Sequence, residues 1–143
     1  GLDGCGKSTQ LEKAKQWLNL QGYEVLKTQQ PGGTRIGKQI RKILLNPHHK
    51  ELHPESELLL YLSDRIQHLT EIILPAKAEG KIVLCDRFHY STYIYQGVIE
   101  KNDLVKKIHN IFDKIFSGKI DHIIYFYTSP DESYKRISRR AYG

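Results

Sequence analysis

The sequence predicts an α/β fold in which a parallel sheet carries helices on both faces. Short apolar or β-branched runs alternate with helical patterns along the chain, the arrangement of a layered parallel-sheet protein. A glycine-rich loop opens directly onto the first helical stretch. Asp86 stands just past the run Ile82-Val83-Leu84-Cys85, where ligands of open parallel sheets bind.

Each element follows from its own residues. From Ser8 to about Gln21 the chain is polar, with Leu11, Ala14 and Leu18 at helical spacing and Trp17 beside them. Gly22 is a natural helix stop. Glu24 to Thr28 reads as a short strand, and Pro31, Gly32 and Gly33 mark a loop over Gln29 to Thr34. Ile36, Ile40, Ile43 and Leu44 recur at helical spacing until Pro47 closes that helix. Pro54 can open the next helix because its missing N–H is spare there. That helix is expected from Glu55 to Ala78, with a bend or break near Pro75 and a stop at Gly80. Lys81 to Cys85 predicts a buried parallel strand. Phe88 to Gly97 predicts a tyrosine-rich loop or short helix, Asn102 to Phe116 a helix, His122 to Tyr127 a second buried strand, and Asp131 to about Arg140 a final helix start. There is no internal repeat and no low-complexity linker.

The bulk composition bounds the function. A length of 143 residues suits one domain, 1–143, long enough to bury a core. An apolar fraction of 39% with 27% charged residues is ordinary for a folded globular chain. No apolar run is long enough to span a bilayer, so no membrane partner is expected. Cys5 and Cys85 cannot build a disulfide framework, which fits a reducing, cytoplasmic compartment. The net charge of +6 favours polyanions, either nucleic acid or nucleotide phosphates. The lysines are scattered and form no basic stripe interleaved with aromatics, so nucleic acid is not the expected partner.

The loop Gly1-Leu2-Asp3-Gly4-Cys5-Gly6-Lys7-Ser8 fits G-x-x-x-x-G-K-[ST] without exception, and Thr9 continues it into the helix. The glycines let backbone N–H groups turn toward one point, and the helix adds its positive end. Lys7 is expected to reach the β- and γ-phosphates and Ser8 to hold Mg2+ through its hydroxyl. This makes the fold a P-loop NTPase three-layer sandwich. A P-loop needs a strand before it, and the chain begins with Gly1, so a fragment lacking the first strand is expected. Asp3 is a poor phosphate ligand; its carboxylate can accept from a sugar hydroxyl or stand solvated. Asp86 can bind the water shell of Mg2+ or cap the turn after it. Arg87 can bridge phosphates bidentately or pair with Asp86 or Asp3. Tyr61 and Arg65 lie one turn apart and share a helix face, so they can stack on a planar base and bond its edge, or Tyr61 can belong to the core. The neighbouring Leu58, Leu59, Leu60 and Leu62 can serve as core or as an interface between copies.

Five blocks in one order resemble the thymidylate kinase family of P-loop nucleoside monophosphate kinases: Gly1–Gln10, Thr28–Thr34, Glu57–His68, Asp86–Gly97, and the arginines from Arg136 to Arg140. The P-loop alone is generic; the other four with their spacing are specific, and together they cover almost the whole chain. The resemblance implies transfer of the ATP γ-phosphoryl group to dTMP, giving dTDP and ADP. It implies that Asp3 meets the sugar 3′-hydroxyl, that Tyr61 stacks on thymine where the family usually has Phe, and that Arg65 bonds the base edge. It implies that Arg87 grips the acceptor phosphate, that Ser91, Thr92 and Gln96 line the base pocket, and that Tyr95 crowds the sugar 2′ position. It also implies a homodimer formed through helices.

Two features depart from the family pattern. Gln29 and Gln30 stand where the family often has an Arg-Glu pair; two amides can hydrogen-bond but cannot neutralise phosphate. The resemblance implies a mobile lid from about residue 136, and the chain ends at Gly143 inside it, so a fragment that also lacks the C-terminal part is expected. None of Leu2, Asp3, Gly4 and Cys5 is basic, so in this family pattern the lid supplies the charge-stabilising arginine, with Arg136, Arg139 and Arg140 as candidates. A kinase for another nucleoside monophosphate and a non-catalytic nucleotide-binding module stand as alternatives at this stage.

Overall fold

The structure is a computed structural model. It describes residues 1–99 and 103–141, except the side chains of 97–99, 103, 106, 107, 109, 110, 112, 113, 140 and 141. After the phosphate loop, α1 (Lys7–Leu20) leads to β1 (Val25–Gln29), α2 (Arg35–Leu44) and α3 (Pro54–His68). A π-helical turn, Leu69–Ile73, joins α3 to α4 (Leu74–Ala78), and β2 (Ile82–Asp86) follows. Then come α5 (His89–Thr92), a second π-helical stretch Tyr93–Ile99, α6 (Asp103–Phe116) and α7 (Pro130–Ala141).

β1 and β2 pair in parallel, with Val25 opposite Ile82 and Gln29 opposite Asp86. Successive side chains of a strand point to opposite faces, which sorts the neighbouring helices. One face carries Lys27 and Asp86, which meet Glu12 and Ser8 of α1. The other carries Thr28, which meets His68 of α3, and Val83, which packs with Leu69 and Ile73 of the π turn. Helices therefore cover both faces, as the alternating pattern predicts.

The core lies on the α3 side. Leu58 and Leu62, one turn apart, pack with Val105 of α6, and Leu69 and Ile73 pack with Phe116. Burying each such side chain stabilises the fold by about 1.5–3 kcal/mol. Leu59 turns outward at 54% exposure, so the leucine run divides between core and surface as helical spacing requires.

Two helix boundaries have clear causes. Thr34 caps α2 by accepting from the Gly37 N–H at 2.8 Å. The expected bend near Pro75 takes the form of the wider π turn just before it. Proline has no N–H to give and crowds the carbonyl four residues back, and a wider turn relieves both conflicts.

The strand expected over His122 to Tyr127 is a correction. Residues 120–129 carry no regular secondary structure, and Ile123, Ile124, Tyr125 and Tyr127 are exposed at 59%, 75%, 69% and 79%. A β-branched run becomes a strand only when a neighbouring ladder accepts its backbone; among the described residues β1 and β2 pair with each other alone. For the same reason β2 is half-buried along its length rather than buried. The segment 120–129 does pass the start of the phosphate loop. A Cβ on Gly1 would stand 2.1 Å from the Phe126 carbonyl oxygen.

Candidate active site

The phosphate loop wraps into α1 through two residues in the left-handed region, Gly4 at φ 78° and Gly6 at φ 92°. Both conformations suit only glycine. Gly4 has a second reason to lack a side chain, since a Cβ there would lie 2.7 Å from the Ser133 carbonyl oxygen of α7. Lys7 lies back across the loop, its Nζ donating to the carbonyls of Gly1 at 3.1 Å and Leu2 at 2.6 Å, with Asp3 at 3.7 Å. Cys5 is buried beneath it, and Thr9 is exposed on the first turn.

The loop forms one wall of a polar cavity of about 280 Å³. Asp3, Gly4, Gly6, Lys7 and Ser8 line it from the loop side; Gln29, Gln30, Arg41, Asp86 and Arg87 line it from the strand ends and α2. The carboxyl ends of both strands thus open on the phosphate loop. The Ser8 hydroxyl donates to Asp86 Oδ2 at 2.9 Å. Asp86 Oδ1 is buried with no hydrogen-bond partner, an arrangement costly in a carboxylate unless something polar meets it. The pair fits Mg2+: both donors are hard oxygens, and this ion is usually held by one or two protein oxygens together with waters and phosphates. Among the described residues there is no cluster of three or more His, Cys, Asp or Glu side chains that could cage an ion unaided.

Arg87 joins this cavity to the rest of the site. Its φ of 66° is uncommon for a residue with a side chain. That backbone turn directs the guanidinium back over the loop, where Nη2 bonds the Asp3 carboxylate. Nη1 lies 3.5 Å from Ser91 Oγ, and the group sits 5.7 Å from the Tyr95 ring centroid. Burial works against its charge, but Asp3 and Tyr95 outweigh burial and raise its pKa above the ordinary arginine value.

Behind Arg87 lies a buried polar network. Arg65 is 2% exposed and Asp64 fully buried. Arg65 Nε donates to Gln30 Oε1 at 2.9 Å and Nη2 to Thr92 Oγ1 at 2.8 Å. The guanidinium also lies 5.5 Å from the centroid of Phe88. Burial lowers its pKa to about 10, against the pull of Asp64, which leaves it charged at neutral pH. Gln96 is buried and donates to Glu57 at 2.8 Å. Tyr61 is half-buried one turn before Arg65, and its carbonyl lies 3.4 Å from Gln30 Nε2.

The structure brings together most of the residues singled out by sequence. The C-terminal arginines divide. Arg136 of α7 lies beside the loop, its Nη1 4.0 Å from where a Gly6 Cβ would stand, and it bonds Glu132 at 2.8 Å. Arg139 is exposed and outside the cavity lining. The backbone of Arg140 belongs to α7, but its side chain is outside the described residues, as are residues 142 and 143 of the expected lid. Sequence reasoning missed Arg41, which reaches the cavity from α2 and donates to the Pro31 carbonyl at 2.7 Å. It also missed Asp64; the available signal was a charged pair, Asp64-Arg65, within an otherwise apolar stretch of helix.

Comparison with known proteins agrees with this geometry. Residues 1–142 match the family described as thymidylate kinase. Thymidylate kinase from Thermoanaerobacter sp. strain X514 is 43% identical over 146 residues, covering 98% of this chain and 68% of that protein. Thymidylate kinase from Desulfosudis oleivorans is 39% identical over 142 residues, covering 98% of this chain and 65% of its own length. Thymidylate kinase from Exiguobacterium sibiricum is 52% identical over 97 residues, which are 68% of this chain and 46% of that protein. The chain thus spans between 46% and 68% of the length of these curated relatives. The crystal structure of thymidylate kinase from Ehrlichia chaffeensis superposes with a TM-score of 0.71 at 31% identity, covering 99% of this chain and 75% of that one. With its P-loop, its strand-end aspartate and a match that runs from Gly1 to residue 142, the chain belongs to the thymidylate kinase family.

Proposed function

We propose that this protein transfers the γ-phosphoryl group of ATP to dTMP, giving dTDP and ADP, a step toward dTTP. The observation that carries the reading is that two pairs, Ser8–Asp86 and Asp3–Arg87, open on one cavity beside the phosphate loop. Gly1, Gly4, Cys5, Gly6, Lys7, Ser8 and Thr9 belong to the loop that holds the ATP phosphates. Ser8 and Asp86 hold Mg2+, which when bound draws charge from the phosphate oxygens.

On the acceptor side, Arg87 grips the dTMP phosphate and Asp3 takes the sugar 3′-hydroxyl. Tyr61 stacks on thymine, Arg65 bonds its edge, Ser91, Thr92 and Gln96 line the pocket, and Tyr95 disfavours a 2′-hydroxyl. Positioning and charge stabilisation carry an in-line transfer with no covalent intermediate. An arginine of the lid, Arg139 or Arg140, with Arg136 as the third candidate, meets the charge that builds on the transferred group. The protein acts as a single domain and a homodimer in the cytoplasm. No described helix is long and apolar enough to cross a membrane.

A coupled ADP-release assay across dTMP, UMP, CMP and AMP tests the reading. Preference for dTMP is expected; preference for AMP overturns it.

A further inference from the structure

We infer that Gln30 is a positioning residue, whose neutral amide clamps the Arg65 guanidinium beside Asp64 and so sets how Arg65 meets the acceptor base. The inference rests on the reading that Arg65 bonds that base.

Gln30 is 3% exposed and lies between two buried charges. Its carbonyl Oε1 accepts from Arg65 Nε at 2.9 Å, and its Nε2 donates to Asp64 Oδ2 at 2.9 Å. An amide has one acceptor end and one donor end, and only this orientation satisfies both neighbours. The reversed amide would set N–H against a guanidinium and oxygen against a carboxylate. Gln30 is itself held, since its backbone N–H donates to the Asp86 carbonyl at 3.0 Å. Asp64 is held from the far side by the Gly32 N–H at 3.1 Å. With Nε on Gln30 and Nη2 on Thr92, two directions are fixed, and two directions define the plane of a guanidinium. A planar group that reads a planar base works only when its plane is set.

The family often has glutamate at this position, so the acceptor for Arg65 is common to both side chains and the neutral donor toward Asp64 is this chain's own. A glutamate at position 30 could still accept from Arg65. Its second oxygen would then face Asp64 Oδ2 at the distance now spanned by an N–H donor. Two carboxylates so close share a proton or repel. Among the described residues, other titratable or charged groups around this point include Tyr61 and His68 on α3, Glu71 on the π turn, Cys85 and Asp86 at the end of β2, Arg87 beyond it, and Arg41 on α2. Among them the amide keeps the Asp64–Arg65 pair balanced without a further ionisable group.

The test compares Gln30→Met, which keeps volume and loses both hydrogen bonds, with Gln30→Glu, in the full chain. Gln30→Met is expected to raise KM for dTMP about tenfold or more and to move KM for ATP by less than about twofold. Gln30→Glu, which keeps the acceptor for Arg65 and loses the donor to Asp64, is expected to raise KM for dTMP less than Gln30→Met does. The nitrogen-15 signal of Arg65 Nε–H should be slow to exchange in the parent and lost in Gln30→Met. An unchanged KM for dTMP in Gln30→Met, an equal rise for both substrates, or an unaltered Nε–H signal overturns the clamp. A parent protein that binds no dTMP but loses the signal in Gln30→Met overturns the substrate reading and leaves the clamp standing.

Discussion

Arg87 and Asp3, 84 positions apart in sequence, form an ion pair across the mouth of the phosphate loop. The pair ties the end of β2 to the loop and keeps both groups at the cavity. Arg87 also faces Ser91 and the Tyr95 ring. A lysine ammonium is a single point charge and cannot serve these partners and a phosphate together. Arg87→Lys is expected to lower kcat/KM for dTMP about a hundredfold, and Asp3→Asn about tenfold, in steady-state kinetics.

Gly37 lies inside α2, where alanine ordinarily gains up to about 1 kcal/mol over glycine. Here the sign reverses. A Cβ would stand 2.2 Å from Asp64 Oδ1 and 3.0 Å from Thr34 Oγ1. Overpacking of this kind costs about 1–3 kcal/mol, and displacing Asp64 also breaks its bonds to Gly32 and Gln30. Gly37→Ala should lower the urea midpoint of unfolding; an equal or higher midpoint would show that α2 can slide away from α3.

His68 gives the fold an acid-side weakness. Burial lowers its pKa below the ordinary 6.5, against the opposing pull of Asp64 and Glu71. In the window below 6.5 the unfolded chain therefore binds more protons than the folded one. Stability is full above that window and falls as pH drops through it. Unfolding free energies measured from about pH 7 to pH 5 should decline less steeply in His68→Gln than in the parent. A parallel decline in the two proteins would remove His68 from the account.

Cys85 should be chemically quiet. Burial pushes its thiol up to about 12, and its Sγ lies 3.1 Å from the Arg87 carbonyl. Roughly one thiol in ten thousand is then ionised near pH 8, and the thiolate is the reactive form. Peptide mapping after brief iodoacetamide treatment should find Cys85 unmodified in the native protein and modified in urea.

Much of this was legible in the sequence because periodic patterns are local. Leu58 and Leu62, Ile82 to Cys85, and the stop at Gly80 carry their own meaning. The run from His122 to Tyr127 was misread because strand propensity states a preference, and the ladder that realises it comes from elsewhere in the chain. The site divides in the same way. The loop residues and Asp86 stand in patterns short enough to read directly. The Gln30 network joins residues 34 and 35 positions apart, and the local sequence offers only two amides where a charged pair is common. Arg41 was hidden because the pattern of α2 draws attention to its isoleucines, and nothing in that pattern says which cation faces the strand ends.

Lys7 already has occupation: two backbone carbonyls of its own loop hold its ammonium. Hydrogen bonds to a charged group contribute about 1.5–3 kcal/mol each. A small anion that touches Lys7 at one point must outcompete those carbonyls with one contact. A polyphosphate chain can engage the loop amides first and then draw the ammonium across. In the proposed function the loop would thus favour a polyphosphate over a single small anion before any base is read.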